Sequence, residues 1–171
     1  MKILTMVIVG LLLFIAMIFL VKNSRTPTFS EDEILIQLAI FPVGTTSSSY
    51  LIEIDGNGII RTNLGTRRFP DPEEMDDFFI GSTRQRTREL AGEDMQHIIH
   101  LAEELDISDH PLREGPDERE WIALGVWMMV LYYNGNFYEM AHIQHGDNFL
   151  SNLVYAIIEL SPIHVYLRGF S

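Results

Sequence analysis

The residues of this chain best suited to chemistry are Glu93, His97, His100 and Glu104, spaced four, three and four apart. On a helix they fall within about 60° of arc and form one line along a polar face. Two imidazoles three residues apart, flanked by carboxylates, are donors that suit zinc or another divalent ion. The alternative is a solvated face with ordinary Glu–His pairs. The His-Glu-x-x-His run of a zinc-protease helix is absent.

A second histidine pair is His142 and His145, followed by Asp147. In a strand the two imidazoles point to opposite faces; a turn after Ile143 would bring them together with Asp147. The other reading is a polar strand end that leads into a helix cap. Arginines cluster as Arg67, Arg68, Arg84, Arg86 and Arg88. The alternating Arg84, Arg86 and Arg88 suit one side of an extended strand, where guanidinium groups grip carboxylates or phosphates bidentately. They can equally be neutralised by Glu73, Glu74, Asp76 and Asp77. Aromatic residues gather around one segment: Trp121, Trp127, Tyr132, Tyr133, Phe137 and Tyr138. Strand alternation turns some of them outward, and Tyr133 and Tyr138 are candidates for an interaction surface beside the arginines. Packing in the core and on ordinary sheet faces is the competing use.

Several chemistries are excluded. The chain has no cysteine, so it has no disulfide, thiol nucleophile or cysteine-ligated zinc. Lys2, Lys22 and Arg25 are three of the 12 cations; the other nine, all arginine, share residues 26–171 with all 24 acids, a net charge of −15. Without lysine that segment can form no Schiff base and no phosphate-loop contact. A charge of this sign repels phosphate backbones, so nucleic acid is not an expected partner. No Gly-x-Ser-x-Gly and no dinucleotide-binding fingerprint occurs.

Ile3 to Val21 are nineteen uncharged positions. At 1.5 Å per residue they reach about 28 Å, close to the thickness of a bilayer's hydrocarbon core. A cleaved signal peptide would have a shorter apolar stretch and a small-x-small exit; here the exit reads Lys22 to Pro27. The expectation is a single-pass signal anchor in residues 1–25, with the lipid bilayer as its partner, and one acidic domain in residues 26–171. Basic residues nearly balance across the anchor, so the positive-inside rule says little. The single residue before Lys2 favours an extracytoplasmic domain at the cell membrane.

The elements that must position the candidate residues follow from periodicity. Ile34, Ile36, Leu38 and Ile40 alternate as a strand, although Ser30 to Glu33 reads as a helix capping box. Tyr50–Asp55 and Ile59–Leu64 flank Gly56 to Gly58 as a hairpin. Residues 65–88 read as irregular. Met95, Ile98, Ile99, Ala102 and Leu105 mark a helix. Val126–Tyr133 and Asn136–Ile143 flank Asn134-Gly135, the preferred two-residue hairpin turn. The first of these strands is apolar on both faces and belongs in the sheet interior. A helix over 148–160, capped by Asp147, and a short strand at Ile163, Val165 and Leu167 complete the order. The expected fold class is α+β: a transmembrane helix, then a two-layer domain of antiparallel sheet, two hairpins plus flanking strands, with two helices on one face.

Tyr50 to Ile59, Gly65 to Arg67, Arg88 to Asp94, Leu131 to Glu139 and Leu160 to Ile163 together resemble small membrane-anchored proteins of unknown function from Gram-positive, Clostridia-like bacteria. The resemblance implies anchoring and fold and carries no activity. The resulting expectation is a non-enzymatic, membrane-tethered binding or structural module that needs no cofactor. It would recognise an envelope protein through the second hairpin or the arginine-rich segment. A divalent-metal or small-ligand binder and an enzyme of unrecognised type are the alternatives.

Overall fold

A computed structural model describes residues 34–46, 48–68, 75–81, 83–105, 125–142 and 148–167. The anchor expected at Ile3–Val21 lies outside the described residues. Among the described residues, no helix is long and apolar enough to cross a membrane.

The run of apolar residues after Glu33 becomes strand β1 (Ile34–Pro42), and the strand reading prevails over the capping box. Leu35 to Phe41 are buried without interruption. That pattern belongs to a strand covered on both faces. Strands β2 (Ser49–Asp55) and β3 (Ile59–Gly65) form the first hairpin. Gly58 takes a positive φ of 75°, and the Asp55 side chain accepts the N–H groups of Asn57 and Ile59, each at 3.0 Å. Strands β5 (Trp127–Tyr133) and β6 (Asn136–Ala141) form the second hairpin. Asn134 and Gly135 both have positive φ, the requirement of the tight primed turn.

One strand differs from expectation. Residues 65–88 are not irregular throughout: Arg84–Glu89 is strand β4, paired antiparallel to β3. The six strands form one antiparallel sheet in the order β4-β3-β2-β1-β5-β6. β5 is interior, as its apolar faces required. The final strand does not form. Residues 163–167 keep the alternation, with Ile163 and Val165 buried, but pair with no strand. Instead the Tyr166 N–H donates to the Tyr50 hydroxyl, and the Ser161 hydroxyl lies 2.9 Å from that of Thr62.

Helix α1 (Gly92–Glu103) and helix α2 (Phe149–Leu160) cover the same sheet face. Ile98, Leu101 and Ala102 of α1 and Leu150, Leu153, Val154 and Ile157 of α2 join Ile36, Leu38, Ile40, Ile52, Ile54, Met129 and Leu131 in one core. The cap of α2 is Asn148, whose side chain accepts the Ser151 N–H at 2.8 Å. The expected cap, Asp147, lies outside the described residues.

The opposite face is not open. Phe78, following a 3₁₀ turn at Met75–Asp77, packs with Ala39, Phe41 and Leu51 as a second cluster. The layering is therefore a sheet between two helices and a small aromatic cover. Phe78→Ala should cost about 3–5 kcal/mol if this cover packs as a core. Urea unfolding measures it, and an unchanged midpoint would show that the face is not packed this way.

Candidate functional site

Strand β4 is the edge of the sheet, and all six of its residues are exposed. Its register sets Arg88 beside Ile60, Arg86 beside Thr62 and Arg84 beside Leu64. Ile60 belongs to the core under the helices and Leu64 packs against it, so the three arginines line the helix-bearing side. Alternate residues of a strand lie about 6.5–7 Å apart. The arginines therefore form an evenly spaced row. Among the described residues, none of the three takes part in an ion pair. The expected acids Glu73 and Glu74 lie outside the described residues, as does the side chain of Asp76.

Backbone direction in β4 follows from one bond. The Leu90 N–H donates to the Gly58 carbonyl at 2.9 Å, and that pair continues the register of Arg88 and Ile60. Because strand backbone groups alternate, those of Arg84, Arg86 and Arg88 face β3. Those of Gln85, Thr87 and Glu89 face outward, and no strand flanks that side among the described residues.

The other described arginines, Arg61, Arg67 and Arg68, are drawn away from this row. Arg67 is 4% exposed, with its guanidinium 4.4 Å from the centroid of the Phe41 ring. Arg68 donates from Nε to the Asp77 carbonyl at 3.3 Å. Arg61 lies 3.7 Å from Glu53, which also accepts a hydrogen bond from the Gln37 amide at 3.1 Å. The five-arginine cluster expected from the sequence thus reduces to three.

The aromatic candidates also divide. Tyr138 is 5% exposed and belongs to the core, so it offers no surface to a partner. Its strand neighbour Phe137 points the other way and is 56% exposed, with its ring 4.9 Å from that of Tyr132. Tyr133 is half-buried at the end of β5. Burial pushes its phenol pKa up, and the Glu103 carboxylate and Tyr138 add to the shift. Trp127 is buried, and Trp121 lies outside the described residues.

Glu93, His97, His100 and Glu104 lie along the exposed side of α1 and just past its end. Among the described residues, no three His, Asp or Glu side chains gather in a metal-holding arrangement. His142 is 2% exposed, and its Nδ1 accepts the Trp127 N–H at 2.7 Å. That nitrogen is therefore unprotonated, and burial holds the imidazole pKa below its ordinary value. His145 and Asp147 lie outside the described residues.

A cleft of about 660 Å³ opens where β1 ends, among Val43, Thr45, Ser48, Trp127 and Tyr166. Among the described residues, no His, Asp, Glu or Arg lines it. Periodicity shows nothing of this cleft, because its lining comes from segments far apart in the chain.

Two outcomes test these assignments. A zinc titration by calorimetry should give the same heat for the protein and for its His97→Ala, His100→Ala double variant; a lost saturable phase would make α1 a metal site. His142 contributes stability fully above its unfolded pKa of about 6.5 and loses it as pH falls through its lower folded value. His142→Asn keeps an acceptor near Nδ1 but cannot titrate. The stability difference between the two proteins should therefore shift toward the variant below pH ~6.5, by at most about 1.4 kcal/mol per pH unit.

No family model, curated protein or solved structure matches this chain.

Proposed function

We propose that this protein is a membrane-tethered, non-enzymatic binding module, anchored through Ile3–Val21, whose domain lies outside the cytoplasm and recognises an envelope protein through edge strand β4. The observation that carries the reading is the row Arg84, Arg86 and Arg88, exposed on a sheet edge without an ion-pair partner among the described residues. Three planar guanidinium groups in fixed register are a device for gripping carboxylates. Tethering rests on the nineteen uncharged positions and on an exit with no small-x-small site.

Crosslinking in intact membranes followed by purification tests the binding role. The native chain should retain a specific envelope protein, and the Arg84→Glu, Arg86→Glu, Arg88→Glu variant should retain about tenfold less or lower. Equal capture by both removes β4 from the reading. Alkaline carbonate should leave the full chain in the membrane pellet, and protease added to intact cells should digest the domain. Release by carbonate overturns the anchor; survival of the domain while a surface protein is cut overturns its placement outside.

A further inference from the structure

Building on that reading, we infer that the partner docks as an added β-strand: an extended acidic segment, with carboxylates at every second position, pairs along β4. The outward backbone groups of β4 belong to Gln85, Thr87 and Glu89, so a docking strand forms its hydrogen bonds there. In antiparallel addition, the residues opposite Arg84, Arg86 and Arg88 then occupy the non-hydrogen-bonded positions. Those are the positions where cross-strand side chains approach most closely. Carboxylates at alternate positions of the incoming strand meet the three guanidinium groups one to one, on the helix-bearing side.

The same register disfavours antiparallel pairing with a second copy of this chain. Two β4 strands pairing antiparallel through their outward groups set odd positions against odd and even against even. Every such alignment that pairs two or more of the outward residues opposes arginine to arginine, and like charges directly opposite are unfavourable. The row thus disfavours antiparallel self-pairing of an exposed edge and favours the opposite charge. Anionic lipid offers negative charge too, but it has no backbone to satisfy Gln85, Thr87 and Glu89.

Two blocked peptides of equal composition and charge, TETETET and TTEEETT, test the proposal against the full chain in neutral detergent micelles. Fluorescence anisotropy should show the alternating peptide binding about tenfold more tightly. Amide exchange by NMR should slow at Gln85, Thr87 and Glu89 when that peptide saturates, while the amides of Arg84, Arg86 and Arg88 are slow beforehand. Thr87→Pro removes an outward N–H and keeps all three charges, so it should abolish the preference; a retained slow Arg86 amide establishes that its strand is intact. If that variant unfolds, the exchange pattern of the native chain decides. Equal affinity for the two peptides, unchanged exchange at the three outward amides, or displacement of the peptide by phosphatidylglycerol vesicles overturns strand addition. The binding-module reading fails separately, when crosslinking retains no envelope protein.

Discussion

Strand β1 holds the sheet together, because it lies between the two hairpins and pairs with a strand of each. On one side it pairs with β2, its neighbour in sequence; on the other it pairs with β5, from Ile36 beside Tyr133 to Pro42 beside Trp127. Closing a loop that long costs entropy, although the cost rises only logarithmically with length. Burial on both sides of β1 offsets it. Ile36, Leu38 and Ile40 lie under the helices, while Ala39 and Phe41 lie under Phe78. A slip of one residue would exchange these two sets, so the register is tightly specified. At the start of β1 the pairing with β2 steps by two residues on one strand and one on the other, and Leu35 is the extra residue.

From that centre, packing dictates the geometry of the exposed edge. Leu90 is buried in the helix-side core, and its N–H is bound to Gly58. It stands directly between β4 and α1, so burying it fixes the phase of β4. Arg88, Arg86 and Arg84 then take the same side as Leu90, and the alternate residues send their backbone groups outward. The edge is thus oriented by an apolar contact rather than by its own charges. At the far side of the sheet, His142 closes the end of the β5–β6 hairpin through the Trp127 N–H, and the Tyr155 hydroxyl reaches the His142 carbonyl at 3.4 Å.

The parts of the fold legible in the sequence are those whose burial leaves a period. Tyr50, Ile52 and Ile54, the Asn134-Gly135 turn and the three-and-four spacing of α1 each carry such a signal. β4 carries none: Arg84 to Glu89 has no apolar residue, and an edge strand exposed on both faces needs none. Its alternating arginines suggested an extended strand, but without a partner strand in view. Residues 163–167 show the converse. Ile163 and Val165 alternate as a strand does, yet the period reports burial of every second side chain and not hydrogen bonding. For the candidate site, alternation correctly separates Phe137 from Tyr138, but it cannot say which of the two faces the helices. The second cluster was hidden because Phe78 lies in a short apolar segment between a run of acids and Gly81, too brief to show any period.

The acidic composition makes the edge more selective, not less useful. With a net charge of −15 over residues 26–171, an acidic segment meets repulsion from most directions. At physiological salt, charges are screened over about 8 Å, so distant carboxylates of the domain act weakly on a strand already in contact. The spacing between alternate residues of β4, about 6.5–7 Å, is close to that screening length. In the proposed pairing each guanidinium would act most strongly on the group directly opposite it, because that group is the closest. Arg61 beside Glu53 and Arg67 over Phe41 lie apart from this row, each with its own neighbour. What singles out β4 is three cations in register, on the only described strand whose residues are exposed along its whole length.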